Sequence, residues 1–227
     1  MIRQIFLDTE TTGLYPDQGH RVIEIGAVES VNRRLTGQNF HVYLNPEREI
    51  DAAAQEVHGI TLEFLQDKPL FAEKAGDFCS FIQDAELIIH NAPFDVGFLN
   101  AEFGRIGLQS VSEISAKITD TLKMAKDARP GQRNNLDALC KHFGIDNTRR
   151  TLHGALLDAE LLAEVYFAMT RGQDSLMMDL VQHEVAQGVE LQMEAVGKVK
   201  VLHADRDELL VHEAYIQSLA KSGAKPW

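Results

Sequence analysis

The sequence predicts a mixed α/β protein. We expect a five-stranded sheet containing an antiparallel three-strand meander, with helices on both faces and a C-terminal tail. Three observations lead there: β-rich segments joined by short polar turns near the start, an alternation of apolar runs and helical periodicity after them, and a change of character past Gly172. Residues 5–8 (IFLD), 22–31 (VIEIGAVESV) and 39–45 (NFHVYLN) form the meander, with 32–38 (NRRLTGQ) as the hairpin link. Residues 70–84 carry helical apolar spacing and lead into 86–91 (ELIIHN), a short run suited to a buried strand. Pro93 opens the next helix, which ends near Gly104 and Gly107. A fifth strand is predicted at 117–120, then helices at 121–128, 134–144 and 155–172. The domains read as 1–172 for the main domain, 173–198 for a linker and 199–227 for the tail, where Asp205 and Glu208 are spaced as a capping box.

A chain of 227 residues can bury one sizeable core with an appendage left over. Apolar residues make up 44% and no apolar run nears the roughly 20 residues a bilayer span requires. The start, MIRQIFLDTETTG, lacks the long apolar core of a signal peptide, so we expect a soluble cytoplasmic protein without a membrane partner. Cys79 and Cys140 sit among apolar residues and read as reduced core positions. A net charge of −12 argues against coating nucleic acid through a basic surface. The balance is locally reversed, however. Residues 117–150 hold eight Lys/Arg against four Asp/Glu, a net of +4 that suits either a phosphate backbone or a solvated helical face.

Asp8 and Glu10 lie two apart at the end of the first strand, so both carboxylates project from one face. Two acids this close repel unless a cation sits between them, and oxygen ligands favour Mg²⁺ or Mn²⁺ over zinc. Taken alone, D-x-E also describes an ordinary acidic strand end. Asp95 follows the second apolar strand in the first turn of a helix, where the macrodipole alone would favour it, and Phe94 and Phe98 are available to pack beneath. In His153-Gly-Ala-Leu-Leu-Asp158, five helical residues turn through about 500°, so the two side chains would not share a helical face. Gly154 suggests that His153 lies on the approach loop and Asp158 inside the helix.

The order D-x-E, D, H-x4-D, each on its expected strand or helix, resembles the DEDD exonuclease superfamily, in the subgroup with histidine five positions before the last aspartate. FLDTETTGL, HNAPFDVGFL and HGALLDA are in detail similar to the epsilon proofreading subunits of bacterial DNA polymerase III, and the resemblance covers residues 2–171. It implies a ribonuclease-H-like fold and 3′→5′ exonuclease activity, with Asp8, Glu10, Asp95 and Asp158 holding two divalent ions, Mg²⁺ or Mn²⁺, and His153 as general base. It further implies that His58 contacts the terminal nucleotide, that Thr9, Thr11 and Gly13 contact its phosphate and sugar along with Asp8, Glu10 and Asp158, and that Asp120 supports the site. The substrate expected is a single-stranded or mispaired DNA 3′ end. An RNA-trimming relative with the same five residues, and a non-catalytic tether of polymerase to clamp, stay open at this level.

Gln173-Asp-Ser175-Leu176-Met-Met178 is similar to the peptides that bind the bacterial sliding clamp, an extended segment with apolar anchors. Residues 199–227 resemble the tail through which such subunits bind the polymerase catalytic subunit, and a small accessory subunit is a further possible partner.

Overall fold

The computed structural model describes residues 2–148, 150, 152–171, 208 and 212. The chain divides into two compact units, Met1–Met178 and Asp179–Trp227, and the sheet with its helices belongs to the first. The clamp-peptide residues Gln173, Ser175, Leu176 and Met178, the linker, and all of the tail apart from Glu208 and His212 lie outside the described residues. So does Asp205, although Glu208 is helical.

Five strands form one sheet in the order β3-β2-β1-β4-β5. β1 (Arg3–Thr11), β2 (Val22–Val31) and β3 (Arg34–Tyr43) make the antiparallel meander, and β4 (Glu86–Ile89) and β5 (Lys117–Asp120) add in parallel to β1. β1 is therefore central, and residues alternating along it enter different cores. Ile5 and Leu7 pack with Phe71 and Phe78 of α3 (Phe71–Ile82) and Phe98 and Phe103 of α4 (Ala92–Arg105). Phe6, on the other face, packs with Ala125 of α6 (Thr121–Ala128), Leu139 and Cys140 of α7 (Leu136–Phe143), and Leu162 and Val165 of α8 (Ala155–Thr170). Its ring meets Tyr166 and Phe167 edge-on at centroid distances of 5.5 and 5.3 Å.

Within the described residues the predicted elements are all present, with two corrections. The hairpin link is Asn32–Arg33 alone, both at positive φ (50° and 63°), which is the geometry of a two-residue primed turn. Arg34–Gln38, expected in the turn, belong to β3. The second correction concerns short helices that no periodicity announced: α1 (Ala52–His58), α2 (Leu62–Leu65) and α5 (Val111–Ile114), each two turns or fewer. Both cysteines are free. Cys79 packs against the α3–α4 core, and Cys140 is buried in the core on the other side of the sheet. Among the described residues, no helix is long and apolar enough to cross a membrane.

Candidate active site

In an open sheet, the crevice beyond the carboxyl ends of the parallel strands is where ligands are received. β1 and β4 both end there. Asp8 and Glu10 extend the row that begins with Gln4 and Phe6, so they face α8. Past β4 the chain turns at Asn91, in left-handed conformation (φ 68°), and enters α4, whose first turn carries Asp95. Asp158 lies in the first turn of α8, its amide donating to the Gly154 carbonyl at 2.9 Å. His153 precedes that helix on the loop, and its amide donates to the Val57 carbonyl at 3.2 Å.

The start of α8 reaches β1 because of one glycine. Gly26 of β2 stands opposite Asp8, and a Cβ built on it would overlap the backbone of Ala155 and Leu156. Only hydrogen leaves the helix room to bring Asp158 over the sheet.

All four acids, with His153 and Arg150, line one cavity of about 330 Å³. Asp95 and Asp158 are buried, each 3% exposed, and ligand atoms of Glu10, His153 and Asp158 lie within 4.8 Å of one another. Such crowding raises the carboxyl pKa values. Burial pushes Glu10 up to about 8, helped by the charges of Glu24, Asp158 and Asp95. Burial likewise pushes Asp95 up to about 7, against the hydroxyl of Thr9, which donates to its Oδ1 at 2.7 Å. Asp8 is raised well above the usual carboxylate range by burial, then by Asp95, Glu10 and Asp158. One guanidinium among five lining carboxyl groups leaves a deficit of positive charge, and an oxygen-rich set beside the imidazole of His153 suits hard divalent cations. The residues present fit a Mg²⁺ or Mn²⁺ centre.

Arg150 is that guanidinium. Its Nε and Nη2 donate to Oδ1 and Oδ2 of Asp158 at 2.5 and 2.6 Å, Nη1 meets Asp137 at 2.8 Å, and Nη2 lies 2.9 Å from His153 Nδ1. Burial and the Arg150 charge together hold His153 below its ordinary pKa, which favours the neutral ring.

A second cavity of about 370 Å³ adjoins the first, sharing Thr9, Glu10 and Phe94 with it. Leu14, Val57, Ala53 and Ala54 give it apolar walls, and His58, Thr11 and Gly13 line it as well. His58 closes α1 as a buried residue, its Nδ1 accepting from the Ile60 amide at 3.0 Å. Thr11 donates its hydroxyl to the Gly13 carbonyl at 2.7 Å. The Thr9 and Thr11 hydroxyl protons are thus both spent within the protein.

The RNase T exonuclease family model matches residues 5–166. The DNA polymerase III subunit epsilon of Pasteurella multocida is 51% identical over 227 residues, spanning 96% of this chain and 90% of that protein. The chain belongs to the epsilon-subunit family of exonucleases. The Escherichia coli DNA polymerase III subunit epsilon is 50% identical over 230 residues, 97% of this chain and 95% of that one. Among solved structures, E. coli exonuclease I in complex with a dT13 oligonucleotide has a TM-score of 0.69 at 19% identity, covering 81% of this chain and 44% of that one. Exonuclease X in complex with 5′-overhanging duplex DNA has a TM-score of 0.58 at 24% identity, covering 76% and 92%. These likenesses place the epsilon-family chain in the ribonuclease-H-like fold, and its family makes it a 3′→5′ exonuclease.

Every predicted catalytic residue of this epsilon-family exonuclease lines the first cavity, and the other predicted contact residues line the second. Phe94 departs from expectation: its ring meets Phe98 at a tilt, 5.0 Å between centroids, but lines both cavities rather than only packing beneath. Asp120 caps α6, accepting from Leu122 and Lys123, and its Oδ1 also takes the amide of Asn91, which bears the turn into α4. Arg150, Gly26 and Asp137 do not stand out in the sequence. For Arg150 the one signal is the local excess of positive charge.

Proposed function

We propose that this exonuclease proofreads DNA replication as the epsilon subunit of a bacterial DNA polymerase III in the cytoplasm, hydrolysing the 3′-terminal phosphodiester of single-stranded or mispaired primer DNA and releasing nucleoside 5′-monophosphates. The observation that carries the reading is the convergence of four carboxylates from β1, α4 and α8 around one cavity beside a neutral histidine. Asp8, Glu10, Asp95 and Asp158 would hold two divalent ions, Mg²⁺ or Mn²⁺, which when bound activate water and stabilise the leaving oxygen. His153, held toward its neutral form chiefly by burial, accepts the proton of the attacking water. Thr9 fixes the rotamer of Asp95 through its hydroxyl.

The second cavity receives the terminal nucleotide. Its apolar walls, Leu14, Val57 and Phe94, suit the face of an unpaired base, whatever its identity. His58, Gly13 and the backbone from Thr9 to Thr11 lie beside it. An end still paired in duplex must fray before it enters, which gives preference to mispaired ends. Residues 1–172 form the catalytic domain. Gln173–Met178 engages the sliding clamp, and 199–227 binds the polymerase catalytic subunit.

Asp8→Ala and His153→Ala are expected to abolish digestion of a labelled single-stranded oligonucleotide while circular dichroism and melting stay near wild type. Undiminished digestion by either variant would sink the site assignment. Matched DNA and RNA oligonucleotides test the sugar, and a strong RNA preference would overturn the substrate assigned here.

A further inference from the structure

Arg150 has no part of its own in the proposed reaction, yet its contacts converge on residues which that reaction uses. Its side chain is only 7% exposed, yet it comes from a loop rather than from the sheet or a helix. It engages both oxygens of Asp158 in a fork, and the same Nη2 reaches His153. Glu10, His153 and Asp158 already lie close enough to hold a cation between them, and Arg150 touches two of the three. Its third partner, Asp137, is different in kind: that side chain is 51% exposed, at the rim of the cavity.

We propose that Arg150 is a placeholder cation: in the metal-free protein it occupies Asp158 and steadies His153, and it gives up Asp158 when a divalent ion is taken up. This rests on the reading of the four acids as ion ligands. The driving force is electrostatic. Four carboxyl groups crowded around one cavity disfavour negative charge there, and a buried guanidinium with bidentate geometry is the side chain best able to balance it. A guanidinium covering both oxygens of a carboxylate, with no water between, also excludes a dication from those lone pairs and repels it. Asp158 can serve one partner or the other. Asp137 at the rim keeps a counter-charge for Arg150 after it leaves, so release does not strand the guanidinium. His153 is coupled to the exchange through Nη2, so its ring is held in place before ion uptake and freed toward the cavity afterwards.

Two measurements test this, neither of them an activity assay. The Nε–H resonance of Arg150, assigned by its loss in Arg150→Lys, is expected to be sharp and shifted in wild-type protein in EDTA and to move to the solvent-exposed position as Mg²⁺ is titrated. Mn²⁺ binding, followed by calorimetry, is expected to tighten about tenfold in Arg150→Gln, as when a competent state populated near one part in ten becomes the whole population. A resonance that stays put at saturating Mg²⁺ would overturn the proposal while leaving the ion site intact. Unchanged or weaker Mn²⁺ binding by Arg150→Gln would do the same, provided that wild type binds Mn²⁺. Failure of wild type itself to bind Mn²⁺, or binding unaffected by Asp8→Ala, would instead remove the reading of the acids on which it stands.

Discussion

Replacing Gly26 by alanine tests how the site is assembled without touching a reactive group. The added Cβ would lie 2.5 Å from the Ala155 carbonyl oxygen and closer still to the Ala155 carbon and the Leu156 nitrogen, whereas ordinary contact begins near 3.4 Å. The helix would have to recede by at least about 1 Å, more where the carbon and nitrogen contacts are tighter, and the obstacle is backbone rather than a flexible side-chain tip. Overpacking of this kind costs about 1–3 kcal/mol, a few degrees in melting temperature for a domain this size. The larger effect falls on catalysis. α8 carries Asp158, and a displacement of about 1 Å at a reacting constellation can cost about 10²-fold. The assay is the rate of shortening of a 5′-labelled single-stranded oligonucleotide at saturating Mg²⁺, alongside a thermal melt. Gly76→Ala is the control. That glycine lies in α3 with nothing within 4 Å of a built Cβ, so alanine is expected to stabilise the helix by about 0.5–1 kcal/mol and leave the rate unchanged. Wild-type activity in Gly26→Ala would refute the claim that this position sets the distance between Asp158 and the strand acids.

Two further outcomes are expected from the geometry. In the folded, metal-free protein Glu10 and Asp95 keep their protons to about pH 8 and 7, where an unfolded chain has released them near 4.5 and 3.8, so the folded state binds more protons and stability falls as pH rises. His58, His90 and His153 are held below their usual 6.5 and act in the opposite direction, but only under that pH. The melting temperature in EDTA is therefore expected to drop between about pH 6.5 and 8, with Mg²⁺ flattening the slope, and a flat or rising curve in EDTA contradicts the crowding of charge around Glu10 and Asp95. Thr9→Val keeps the shape of the side chain and removes the hydroxyl that orients Asp95, so Mn²⁺ affinity is expected to fall about tenfold with little change in fold. Equal affinity by calorimetry would show that the hydrogen bond does not matter to the ligand.

Much of the site is legible in the sequence because its chemistry is written in local periods. The two-residue spacing of Asp8 and Glu10 places both on one side of a strand, and Gly154 between His153 and Asp158 separates loop from helix. What stays hidden depends on contacts distant in sequence. Gly26 looks like a weak strand residue until α8 is laid across it, some 130 positions later. Arg150 reads as one more charge in a basic stretch, and only the fold aims it inward at Asp158. The hairpin misleads for a different reason. Gly37 draws the expected turn toward itself, while the chain reverses at Asn32 and Arg33, where non-glycine residues accept positive φ.

The strict alternation along β1 also bears on what a wrongly folded copy can do. Ile5 and Leu7 face the α3–α4 core while Phe6 faces the α8 side, in one row with Asp8 and Glu10. A slip of one residue against β2 would exchange the rows, pressing two carboxylates into the α3–α4 core and turning leucine and threonine toward Asp158. The same error that spoils the packing takes two of the four acids out of the cavity. A mispaired strand thus yields an inert molecule rather than a stray nuclease, and the integrity of the DNA end is guarded by the register of a single strand.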